Sequence, residues 1–132
     1  MTAARWAQQE LLAQQSRTDV RVYAVWFNMY PGDSREKWPS TLLTDLRVVQ
    51  YWDATRAIGT RYLTNLPAIL DRRAPETLAP TADALWDAYF IYPPGDLWTD
   101  RIPLPVSWGY PIMVTRDQLV VDLEALATQR KQ

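Results

Sequence analysis

Val20-Arg21-Val22-Tyr23-Ala24-Val25-Trp26-Phe27 is the stretch on which the fold turns. It begins half alternating and is apolar on both sides from Val22 onward. Strands covered on both faces read this way, and such cover is the habit of parallel sheets. Tyr30-Pro31-Gly32-Asp33 closes it with turn chemistry. Upstream, Ala4, Ala7 and Leu11 recur at helical spacing, which predicts a helix over Ala3–Gln15. Downstream, Asp33 or Ser34 can cap a helix with Glu36 completing an approximate capping box, and Pro39 keeps that helix short.

Val48-Val49-Gln50-Tyr51-Trp52 reads as a short strand or an extended segment ended by Asp53, followed by a helix over Thr55–Leu63. Pro67–Asp83, with three prolines and no sustained period, reads as an irregular excursion. Leu85–Tyr92 is the second strong strand. Pro93-Pro94-Gly95-Asp96 turns the chain, because proline presets φ and glycine accepts a positive one. Leu97-Trp98-Thr99 is the expected antiparallel return, and Ile102–Met113, broken by prolines, is edge-like. Thr115-Arg116-Asp117-Gln118 reads as a capping box for a last helix over Thr115–Thr128. Helices interleaved with strands, plus a late hairpin, predict an α/β fold with a mixed sheet flanked by helices. At 132 residues the chain suits one domain, 1–132.

Composition removes whole classes of chemistry. With no cysteine and no histidine, the chain has neither a thiolate nucleophile nor an imidazole base, and no Cys/His metal site. Serines lack a histidine partner, and the four glycines are isolated, so neither a Ser–His nucleophile nor a phosphate loop is present. A net charge of −1 gives no electrostatic case for nucleic acid. The longest apolar run, Val22–Phe27, is far shorter than the roughly 20 residues that span a bilayer. The N-terminus shows no signal-peptide core, so the chain as given is expected in the cytoplasm unless an upstream signal has been lost. No cofactor is expected.

The candidate residues form two groups. Trp98, Pro105, Trp108, Tyr110 and Pro111 make an aromatic, proline-stiffened segment suited to binding an extended peptide, against the plainer reading that they pin a loop to the core. Asp33, Asp53 and Asp87 end or interrupt strands. They could converge as a cation site or as carboxylate acid–base chemistry. Helix capping is the plainer reading for Asp33 and Asp53, and an outward or hydrogen-bonded position for Asp87.

Several short stretches, in this order, resemble a group of bacterial thioredoxin-like proteins. They are Val22-Tyr23-Ala24-Val25-Trp26, Pro31-Gly32-Asp33-Ser34, Tyr51-Trp52-Asp53, Trp86-Asp87-Ala88-Tyr89-Phe90-Ile91-Tyr92, Pro94-Gly95 and Trp98. The resemblance spans residues 3 to 127. It implies a redoxin fold that lacks its first strand and the cysteine-bearing loop, an N-terminally incomplete domain. Either Pro105 or Pro111 would match that fold's substrate-facing proline, and one of them could be cis. The implied function is a degenerate domain without thiol redox activity, a binding or structural module. The alternatives are a fragment of a thiol-disulfide oxidoreductase whose Cys-containing loop lies upstream of residue 1, or a small carboxylate-dependent enzyme. The expected partners are a protein or peptide, or a second copy of the chain through an exposed sheet. A missing central strand would leave Val20–Asn28 to pair with another copy, with a partner's strand, or directly with Leu85–Tyr92.

The purified chain should be inert in insulin reduction whatever reductant is supplied, because only a thiolate attacks a disulfide sulfur. Turnover above the buffer rate by homogeneous protein is the contrary outcome.

Overall fold

A computed structural model describes residues 2–15, 19–28, 32–37, 40–69 and 83–129. The chain divides into two compact units, Met1–Ile58 and Gly59–Gln132. Both combine helix and sheet, so the α/β expectation holds at that level. The described strands form two sheets of two strands each.

In the first unit, helix α1 starts as an α-helix at Thr2–Trp6 and continues as a π-helix over Ala7–Leu12. Strand β1, Val22–Trp26, pairs in parallel with β2, Val48–Trp52, in the register Val22 to Val48 through Trp26 to Trp52. The parallel expectation for the opening stretch is therefore met. Its full burial is not: Tyr23 is 64% exposed and Trp26 half-buried. The helix expected from Asp33 is replaced by two 3-10 turns, Arg35–Lys37 and Ser40–Leu42. Trp6, Leu12 and Leu43 are the buried apolar side chains described in this unit.

Polar side chains fasten these parts together. Arg47, at the start of β2, sends Nη1 to the Gln15 carbonyl at 2.6 Å and Nη2 to the Leu12 carbonyl at 2.7 Å. Both carbonyls lie at the end of the helical run, where intrahelical donors run out; the Leu12 carbonyl also accepts the Gln15 N–H at 3.2 Å. Asp45 holds the other side of the guanidinium, accepting Nε at 2.9 Å and Nη2 at 2.7 Å. The same hydrogen bonds hold the Asp45 carboxyl down at about 2. Gln8 Oε1 accepts the backbone N–H of Thr44 and Asp45. Gln50 bridges the Trp26 indole N–H at 3.0 Å and the Leu43 carbonyl at 3.0 Å.

Helix α2, Ala57–Ile69, begins at the end of the first unit and runs into the second. It is longer than its apolar spacing predicts and continues past Pro67. Residues 70–82, most of the expected irregular excursion, lie outside the described residues.

In the second unit, β3, Tyr89–Ile91, pairs antiparallel with β4, Ser107–Gly109, and α3, Ile112–Gln129, packs on both. The predicted strand over Leu85–Tyr92 is cut to three residues. Asp87 takes a left-handed φ of 56°, which breaks the extended run, and the Leu85 N–H donates to the Gly59 carbonyl at 2.9 Å. The return strand is not Leu97–Thr99 but Ser107–Gly109, so residues 92–106 form a long connection. The last helix starts three residues earlier than its capping box predicts. Thr115 is already inside it, its hydroxyl donating to the Pro111 carbonyl at 2.8 Å. Leu85 centres the core, with Tyr62, Leu63, Ala88, Phe90, Ile102, Trp108 and Tyr110 packed around it.

Gly109 marks the tightest approach. A Cβ there would overlap the Tyr89 ring and sit 2.5 Å from Thr115 Oγ1. Gly109→Ala should therefore lower unfolding free energy by about 1–3 kcal/mol, the usual range for overpacking. Urea denaturation followed by circular dichroism measures it; an unchanged midpoint would mean that the Tyr89 ring does not close over this position.

Candidate binding surface

The connection between β3 and β4 holds most of the aromatic and proline residues that the sequence singles out. It leaves β3 through Pro93-Pro94-Gly95-Asp96, with Gly95 at φ 91° and the Asp96 N–H directed at the Pro93 carbonyl. From there it is pinned at intervals. Trp98 stands edge-on to Tyr62 at 5.4 Å between ring centroids. Arg61 Nη2 donates to the Asp100 carbonyl at 2.8 Å. Ile102 packs on Leu85, and the Val106 N–H donates to the Ile91 carbonyl at 2.8 Å.

Between these anchors the chain presents apolar side chains to solvent. Leu97 is 76% exposed, Leu104 64%, Val106 55% and Trp98 41%. Pro103 and Pro105 are half-buried between them. Over residues 103–106 of this strip half-buried prolines alternate with exposed Leu104 and Val106, and the prolines fix φ there. Such a strip lowers the entropy lost when a partner docks.

The five predicted residues divide. Trp98 lies on the exposed strip, and Pro105 supports it. Trp108, in β4 opposite Phe90, and Tyr110 turn inward against Leu85. Pro111 follows a cis peptide bond from Tyr110 and directly precedes α3. The exposed partners of Trp98, namely Leu97, Leu104 and Val106, were not singled out in the sequence. Their signal was apolar residues flanking Pro103 and Pro105.

The acidic candidates do not make a cation site. Among the described residues no three acidic side chains come together as one would require. Asp53 is a cap: its Oδ2 accepts the Ile58 N–H at 2.7 Å at the start of α2, and its Oδ1 faces the Thr55 hydroxyl at 3.4 Å. Asp33 sits half-buried beside a 3-10 turn in the first unit. Asp87 lies in the second unit, where its carbonyl accepts the Ile112 N–H at 3.0 Å at the start of α3. Burial pushes its carboxyl up, and the Ile112 N–H opposes that rise.

Behind the strip lies a phenol cluster that the sequence reading missed. Tyr62 stacks on Phe90 at 4.2 Å, and the Tyr62 and Tyr92 hydroxyls share a hydrogen bond of 2.7 Å. Burial pushes both phenols up; their mutual hydrogen bond raises Tyr92 further and restrains Tyr62. Tyr89 Oη is buried without a partner. The Ser107 hydroxyl, which donates to Asp122 Oδ2 at 2.5 Å, and the Thr115 hydroxyl, which donates to the Pro111 carbonyl, are its polar neighbours and oppose the rise of its phenol. Burial is again the main reason that the Tyr89 phenol is raised.

These shifts set the sign of an alkaline transition. A phenol raised in the folded state binds its proton more tightly there than in the unfolded chain, where it titrates near 10. Its contribution is complete below that value and is lost as pH rises above it. The urea midpoint of the second unit should therefore fall from pH 9 to about pH 11, and Tyr92→Phe should fall less. An equal fall in both proteins would disconnect the pair from the transition.

No protein-family model, no curated protein and no solved structure matches the chain.

Proposed function

We propose that this chain is a thioredoxin-like domain that has no thiol chemistry and works by binding extended protein segments. The observation that carries the reading is the exposed strip Leu97, Trp98, Leu104 and Val106, held by Tyr62, Arg61 and the Ile91 carbonyl. Large apolar side chains exposed on a pinned backbone mark an interaction site more often than a neutral surface. Their proline spacing suits an extended partner laid along them.

The element order supports the family part of the proposal. A helix leads to a strand in a parallel pair, then a helix, an antiparallel pair and a last helix, which is the succession expected of a redoxin after its active-site loop. The strand at Val48–Trp52 is an addition to that succession. With no cysteine anywhere in the sequence, such a domain retains recognition and loses exchange.

Reduced, carboxymethylated lactalbumin, an unfolded chain with blocked thiols, is a suitable probe. Its addition should change tryptophan emission saturably, and Leu104→Asp and Val106→Asp should each weaken binding at least about tenfold, which is 1.4 kcal/mol. Both positions are exposed, so the fold should survive, with circular dichroism as the check. Affinity unchanged in both variants would defeat the assignment of this strip.

A further inference from the structure

The outer edge of β1 belongs to the first unit, whereas residues 97–106 belong to the second. The Val22 N–H donates to the Arg47 carbonyl at 3.0 Å, and the Trp26 carbonyl accepts the Asp53 N–H at 2.7 Å. In the parallel register of β1 and β2, Val22, Ala24 and Trp26 therefore turn their backbone groups toward β2. Tyr23 and Val25 turn theirs to the opposite edge. Among the described residues no strand ladders against that edge. Natural edges of this kind are blunted by lysine, proline or a bulge. Residues 22–28 contain no proline and no ionisable acid or base among Val22-Tyr23-Ala24-Val25-Trp26-Phe27-Asn28 other than the Tyr23 phenol.

One face of the pair is also apolar and open. Tyr23, Val25, Val49 and Tyr51 share it by alternation. Tyr23 and Tyr51 are mostly exposed, with ring centroids 6.4 Å apart and planes 22° apart.

We infer that this edge joins two copies of the chain, β1 pairing antiparallel with the partner's β1 about a two-fold axis at Ala24. The edge is complementary to itself. With Ala24 opposite the partner's Ala24, Tyr23 lies opposite the partner's Val25 and Val25 opposite the partner's Tyr23. These are the residues whose N–H and C=O groups face outward, so each pair closes two hydrogen bonds, and the two pairs close four. On the open face each Tyr23 ring then stands beside the partner's Val25, an aromatic–β-branched pairing that stabilises sheets. On the other face only the Ala24 methyls meet at the axis. No charged side chain of residues 22–28 meets its own copy, so nothing repels. The result is a four-stranded sheet in the order β2–β1–β1–β2, a closed isologous contact.

Sedimentation velocity of the full chain over a concentration series, with amide exchange by NMR, tests the inference. A monomer–dimer equilibrium is expected, with the Tyr23 and Val25 amides slow in the dimer and fast on dilution. The Ala24 amide, already paired to β2, should be protected in both states. Tyr23 and Val25 amides that exchange freely in a dimer would overturn the inference. So would their protection in a dilute monomer, which would place another segment of the same chain on this edge. A chain that stays monomeric throughout the series overturns it as well. Two variants add a specific readout. Tyr23→Lys and Val25→Glu should each weaken dimerisation at least about tenfold. An equimolar mixture should restore it, because one cross-pair then joins the introduced lysine to the introduced glutamate while the other remains Tyr23 with Val25. A mixture no better than either variant alone excludes this register. Should either variant fail to fold, exchange in the unmodified chain still decides.

Discussion

The guanidinium of Arg47 holds the last carbonyls of the N-terminal helical run while its own backbone starts β2, and the rest of the first unit is arranged around that span. A two-stranded sheet has little stability of its own, since each strand has only one ladder. Here β1 and β2 are five residues each. Arg47 converts the helix end and the strand start into one polar joint, and Asp45 orients the fork from the other side. An arginine is suited to this role because its planar donors reach two carbonyls and a carboxylate together. Gln8 and Gln50 extend the same logic to the loop at 43–45. The first unit is thus tied by side chain–backbone hydrogen bonds as much as by its buried Trp6, Leu12 and Leu43.

The second unit solves the same problem by apolar means. Its strands are three residues long, and Leu85 gathers aromatic rings from α2, β3 and β4, with Ile102 from the connection between the strands. The exposed strip is a consequence of that arrangement. Ile102 packs inward on Leu85, whereas Leu104 and Val106, next to Pro103 and Pro105, stay exposed. The rings that look most like a binding site in the sequence, Trp108 and Tyr110, hold the platform, and smaller aliphatic residues occupy its surface.

Periodicity made much of this legible. The run from Val22 announced a parallel strand, Val48–Trp52 a second short strand, and the segment from Thr115 a last helix, because each signal is local; that Val48–Trp52 rather than Leu85–Tyr92 pairs with the first strand was not announced. What escaped depended on one residue or on distant partners. Asp87 adopts a left-handed conformation inside an apolar run, and apolarity carries no trace of φ. The return strand was placed at Leu97–Thr99, as a tight turn at Pro93–Asp96 suggests, but β3 pairs instead with Ser107–Gly109. The capping box at Thr115–Gln118 was overridden by a helix that begins directly after Pro111. At the candidate site, Asp53 was readable as a cap from its place before a helix. The pairing of Tyr62 with Tyr92 was not, because 30 residues separate them and no motif links them.

The two surfaces proposed here differ in what holds a partner, and that difference separates their behaviour. Along β1 the attraction is main-chain hydrogen bonding, which demands an extended strand in one register, with the Tyr23–Val25 cross-strand pairs beside it. On the strip 97–106 the attraction is burial of leucine, valine and indole surface, which tolerates sequence and register but requires contiguous apolar contact. A partner that adds a strand is therefore sensitive to proline or to a lost N–H as well as to charge at Tyr23 and Val25, whereas one that covers the strip is sensitive to introduced charge but not to a lost N–H. Substitutions at Leu104 and Val106 and those at Tyr23 and Val25 should accordingly act without coupling, because they lie in separate units and touch different kinds of interaction.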